Sequence, residues 1–206
     1  MILERTRNTI RNTVYGFLNK VVVLVCPFII RTLIIYILGV KYSGLHSLFS
    51  SIINMLNLAE LGFNSAIVYC LYRPIAEGDD KKICALMSLY RKIYRVIGFV
   101  VMIIGLVLLP LLPTIINDTV PGNINIYVLY LIYLFNAVVS YWLFAYKNCL
   151  LIAFQRNDIA SNISTLLNFL MYACQVLILF LSHNYYLYII CMPVFSILIN
   201  VVTGIT

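Results

Sequence analysis

Charge is what this chain has least of. Asp, Glu, Lys and Arg together make up 10% of its 206 residues, where a water-soluble domain carries about 25%. That is too little charge to cover a globule in water. With 63% hydrophobic residues and a mean hydropathy of +1.00, the composition points to an integral membrane protein. Acid is scarcer than base, since 7 Asp+Glu stand against 14 Lys+Arg, a formal +7. No CxxC pair occurs among the six cysteines (Cys26, Cys70, Cys84, Cys149, Cys174, Cys191), so neither a zinc site nor a disulfide framework is supported. Walker A, GxSxG and HExxH patterns are also missing, and the chain does not read as an enzyme. The two histidines, His46 and His183, are isolated near membrane ends. Asp79-Asp80 runs straight into Lys81-Lys82 and reads as a solvated turn, not a metal site. Asn117-Asp118-Thr119 matches a glycosylation acceptor by pattern alone. No cofactor is expected. Nucleic acid is not an expected partner either, because no aromatic-basic motif accompanies the positive charge.

What is present is a set of long apolar runs. A helix crossing the hydrocarbon core needs about 20 apolar residues, and six stretches qualify, at about 15–38, 44–72, 93–112, 126–152, 159–181 and 186–206. They are continuous, unlike the alternating segments of a membrane barrel. The expected fold is therefore all-α, a polytopic membrane protein whose six transmembrane helices form one bundle. Basic residues orient it. Arg5, Arg7, Arg11 and Lys20 precede or enter the first span. Arg73, Lys81, Lys82, Arg91, Lys92 and Arg95 lie in the loop between the second and third or on its flanks, and Lys147 and Arg156 in or beside the loop between the fourth and fifth. All fall on one side of a six-span chain, against Lys41 on the other, so both termini are expected in the cytoplasm. The apolar run after the N-terminal arginines is too long for a secretory signal and lacks a small-residue cleavage site.

Polar residues inside these runs are the informative ones, since they are costly in lipid and turn toward the bundle interior or a cavity. In the second span Asn54, Asn57, Glu60 and Asn64 fall within an arc of about 120°. In the fifth, Ser161, Thr165, Asn168, Tyr172 and Gln175 follow steps of four and three. The fourth carries Tyr127, Tyr130, Tyr133, Asn136 and Ser140. Such stripes either bind helices together or line a polar cavity, and three in one chain favour the cavity. Arg31 and Glu60 sit at similar depths, within about 10 Å along the membrane normal. They form either a structural ion pair or a working one, with Arg31 attracting an anionic substrate group and Glu60 changing protonation or partner. Pro27, one turn before Arg31, removes a backbone donor.

Several of these residues carry a resemblance. The turn formed by Leu38, Gly39, Tyr42, Gly44 and Leu45, the AELG element at 59–62, LYRPIAEGD at 71–79 and YRKIY at 90–94 resemble the N-terminal part of bacterial polysaccharide flippases. So does NINIYVLYLIYLFNAVVSYWLFAYKNCLLIAFQRNDI across span four. These are O-antigen-flippase-like oligosaccharide transporters of the multidrug/oligosaccharidyl-lipid/polysaccharide exporter superfamily. The resemblance implies two helical lobes around a cavity, alternating access, and a substrate built of an oligosaccharide on polyprenyl pyrophosphate. It implies a bacterial cell membrane location, coupling to H+, Na+ or the membrane potential, and polysaccharide polymerase or glycosyltransferases as neighbours. Family members have twelve to fourteen spans, so the chain is expected to be the N-terminal lobe of a truncated product or fragment. The substrate cavity is expected to use Arg31, Asn54, Asn57, Glu60, Asn64, Thr165, Asn168, Tyr172 and Gln175. A cation-coupled drug exporter of the same superfamily and a non-transporting scaffold of a polysaccharide-synthesis complex are the alternatives.

Overall fold

The computed structural model describes residues 5–57, 62–116, 121–122, 124–143 and 145–205. Glu60, most of the AELG element, the Asn117-Asp118-Thr119 triplet and Thr206 lie outside the described residues. Those that are described form helices and connections, without strands. In order these are α1 (Arg5–Ile37), α2 (Val40–Asn57), α3 (Phe63–Glu77), α4 (Asp80–Leu108), a 3-10 turn (Leu109–Leu111), α5 (Leu112–Ile115), α6 (Ile126–Trp142), α7 (Ala145–Ala153), α8 (Asn157–Ser182) and α9 (Tyr185–Ile205).

Four stretches are long and apolar enough to cross a membrane: Ile10–Ile37, Asp80–Ile115, Asn157–Ser182 and Tyr185–Ile205. A fifth crossing results if α6 and α7, bent by 55° at their junction, act as one. The expected second span at 44–72 is not one uninterrupted helix. Instead α2 ends at Asn57 and α3 begins at Phe63, with Gly62 at φ +92° before it, a left-handed backbone that side chains disfavour. The expected fourth span at 126–152 is also divided, because Leu143 is extended and closes α6. The helix of the expected third span, α4, starts at Asp80, thirteen residues before its apolar run. Only Gly78 and Asp79 separate α3 from α4, with Gly78 at φ +68°. The Asp79 carboxylate accepts from the Lys82 backbone N–H at 3.0 Å and meets Lys82 Nζ at 2.9 Å. These hydrogen bonds hold the Asp79 carboxyl below its ordinary range. The stretch read as a solvated turn is thus mostly helix, with Asp79 as its cap.

Cross-helix contacts give the relative directions. Asn57 meets Tyr141, His46 meets Tyr133 and Tyr42 meets Tyr185, so α2, α6 and α9 run in the same direction. Asn12 meets Asp158 and Asn19 meets Thr165, so α1 and α8 are parallel. Tyr130 reaches Gly105 and Tyr94 reaches Cys149, so α4 runs against α6 and α7. The core is built on tyrosine as well as aliphatic side chains, with Tyr94, Tyr130 and Tyr188 among its fully buried residues.

Two features hold this arrangement. Gly98 of α4 lets the Trp142 ring lie against its backbone, where an added Cβ would stand 2.5 Å from the indole nitrogen. At the opposite seam the buried Asp158 carboxylate receives Arg11 at 2.6 Å and Arg156 at 3.3 Å, while Asn12 accepts from the Asp158 backbone N–H at 2.7 Å. The first turn of α8 favours a carboxylate there.

Replacing Gly98→Leu overpacks the α4–α6 contact and lowers stability by about 1–3 kcal/mol, read by unfolding of the detergent-solubilised chain. Asp158→Asn removes a charge-assisted hydrogen bond and costs roughly 1.5 kcal/mol in the same assay, toward the low end because both arginines are partly exposed.

Candidate functional site: a polar chamber between three parallel helices

The inward arc of α2 carries Ser50, Asn54 and Asn57 beside the buried Ile53. Across from it α6 presents Tyr133, Asn136, Ser140 and Tyr141, spaced so that they share one side of the helix. Met192 and Ser196, one turn apart on α9, complete the wall. Together they line a partly open chamber of about 330 Å³. Its described lining has hydroxyl and amide groups but no charged side chain.

The geometry leaves hydrogen-bonding capacity unused. Tyr141 donates to Asn57 Oδ1 at 2.9 Å, which leaves the Asn57 NH2 group available to the chamber. The buried Asn136 Oδ1 has no partner among the described residues. An unsatisfied buried acceptor costs about 1–3 kcal/mol, and because this oxygen has almost no accessible surface only a turn of the Asn136 amide would bring it to a guest. Asn148, Gln175 and Thr203 also carry such atoms, but none of them lines this space.

An aromatic layer caps the chamber toward the N-terminal ends of α2, α6 and α9. His46 Nδ1 and the Tyr133 hydroxyl are hydrogen-bonded at 2.5 Å. The His46 ring also packs edge-on to Tyr188 at 6.1 Å. Tyr185 stacks on Tyr188 at 5.7 Å and meets Tyr42 at 5.2 Å. Below, Phe49 touches both Tyr130 and Tyr133. Aromatic pairs at these separations attract beyond their burial alone.

Of the residues expected from sequence, the chamber brings together Asn54 and Asn57. Asn64 turns elsewhere and accepts from the Cys149 thiol at 3.1 Å. Thr165 lies on the α1–α8 seam, where Asn19 donates to its hydroxyl at 3.0 Å and its own hydroxyl bonds Ser161 O at 2.6 Å. Half-buried Asn168 is not part of the chamber wall. Tyr172 borders a separate apolar cleft of about 410 Å³ against Cys26 and Ile30 of α1. Gln175 is fully buried and donates to Tyr188 O at 3.4 Å. Thr165 and Gln175 of the α8 stripe therefore join helices. Arg31 is exposed on α1 and makes no hydrogen bond or ion pair with another described residue. Its pairing with Glu60 lies outside the described residues.

Sequence reasoning did not place Ser50, Tyr141 and Ser196 at the site, and it took His46 for an isolated interfacial residue. A signal was present: His46, Phe49 and Ile53 follow i, i+3, i+7 spacing on α2, and the last two are buried. Among the described residues no three His, Cys, Asp or Glu side chains gather as a metal site. No model of a known protein family matches the chain, and neither does any curated protein or solved structure.

With the native cysteines replaced, single cysteines at 54, 57, 140 and 196 react with a water-soluble maleimide. Cysteines at 165 and 175, held in helix seams, react at least about tenfold more slowly.

Proposed function

We propose that the chain is a helical lobe of a membrane transporter that moves an oligosaccharide on a polyprenyl pyrophosphate carrier across a bacterial cytoplasmic membrane. The observation that carries this reading is the chamber: a neutral, hydroxyl- and amide-lined space inside an apolar bundle, with the Asn57 NH2 group unengaged. Such a lining suits sugar hydroxyls, which both donate and accept. On the six-pass topology with cytoplasmic termini, α1, α4 and α8 run outward while α2–α3, α6–α7 and α9 return. The relative directions of the helices support that order. The aromatic layer then closes the outer end of the chamber, and alternating access requires those rings to part. Arg31, exposed and without an ion-pair partner among the described residues, is the group assigned to the carrier's pyrophosphate, where a guanidinium binds phosphate by paired hydrogen bonds. A cation-coupled drug exporter fits less well, because the described chamber lining offers no carboxylate to a cationic guest.

The test is flipping of a fluorescent lipid-linked oligosaccharide in vesicles reconstituted with the chain. Asn136→Leu replaces an amide of the chamber wall by an apolar side chain and slows flipping by about fivefold or more, given the roughly 1–3 kcal/mol at stake. Arg31→Ala gives a comparable loss. Wild-type rates in both variants would refute the assignment.

A further inference from the structure

The cytoplasm-facing assignment explains where the positive charge lies, but not why three cations remain unpaired on one flank of α4. Arg91, Lys92 and Arg95 are all exposed, and none makes a hydrogen bond or ion pair with another described residue. At 100° per residue they occupy an arc of about 100°, in which Arg91 and Arg95 stand beside the seam of Tyr90, Tyr94, Val101 and Gly105 and Lys92 extends the arc away from it. The nearby acids are already engaged: Glu77 with Arg73 at 2.8 Å, and Asp79 with Lys82 at 2.9 Å. The remaining one, Asp80, stands about 16 Å from Arg91 along the helix axis.

Depth is the second observation. Counting about 20 residues of hydrocarbon back from Ile115, the end of this membrane-crossing stretch, reaches Val96. Arg95 and Arg91 therefore sit at headgroup level. The third observation is the chain's single tryptophan. Trp142 lies against Gly98 and its ring centroid is 5.2 Å from that of Phe99. Positions 98 and 99 follow Arg95 by three and four residues, so the indole occupies the same flank one turn deeper. Trp142 is 40% exposed, and the exposed Phe99 and Ile103 continue the flank into the apolar zone. Cations at headgroup level above an aromatic shelf and an apolar track match one phospholipid in charge and in length.

We propose that this flank of α4, with Trp142, is a binding site for an anionic phospholipid: Arg91, Lys92 and Arg95 hold the headgroup phosphate, and an acyl chain lies along Phe99 and Ile103. Basic pockets beside membrane helices select anionic headgroups in this way, each cation contributing about fivefold in affinity. The site is distinct from the chamber and does not depend on what the chamber carries.

The lone tryptophan is also the reporter. The chain is reconstituted in phosphatidylcholine vesicles in which brominated phosphatidylglycerol or brominated phosphatidylcholine replaces part of the lipid at equal mole fraction. Brominated phosphatidylglycerol quenches Trp142 the more strongly in the wild type. That preference disappears in the Arg91→Gln/Lys92→Gln/Arg95→Gln variant and survives in Arg91→Lys/Arg95→Lys, which keeps the charge. It also survives in Arg73→Gln, whose cation is already paired. Equal quenching by the two lipids in the wild type would overturn the proposal, as would a preference that persists in the neutralised variant. Loss of the preference on adding inorganic phosphate, but not chloride of matched ionic strength, would reassign the patch to free phosphate and overturn the lipid site.

Discussion

A polar group removed from water must find its hydrogen-bond partner inside the protein, and in an apolar bundle it has few to choose from. Most of the cross-helix chemistry in this chain follows from that constraint. Tyr130 donates to the backbone oxygen of Gly105 at 3.0 Å, Asn12 to that of Gln155 at 3.1 Å, and Gln175 to that of Tyr188 at 3.4 Å. Each bond ties a helix to main chain elsewhere in the fold, another helix or the α7–α8 turn, so the bundle is cross-linked by side chains that would otherwise be a liability. The chamber between α2, α6 and α9 is where hydroxyl and amide groups gather around a space and not against another helix.

The sequence made the helical class and the polar stripes legible, because both depend on local spacing. It could not assign the stripes. Those of α8 and α2 look alike in composition, yet Thr165 faces Asn19 of α1 while Asn57 faces a space. The difference arises from which helix comes to rest opposite, and that partner is more than eighty residues away. The helix breaks divide in the same manner. Gly62 announces its own, since a left-handed backbone calls for glycine. The break at Leu143 lies in a run with neither glycine nor proline, so nothing local marks it. The extension of α4 was obscured for a third reason: its charged first turns look like loop when only hydropathy is followed, although Gly78 and Asp79 form a compact stop and restart.

The parallel pairing of α1 with α8 carries a consequence for how the chain is made. Neighbours that run in the same direction cannot be joined by a tight hairpin, and the Asn19–Thr165 bond spans 146 residues of sequence. At about 5–20 residues per second of synthesis, α1 exists for roughly 7–30 s before that partner leaves the ribosome. Throughout that interval Arg11, Asn12 and Asn19 lack the partners that later bind them to the start of α8. α1 is therefore locked in place only once α8 arrives.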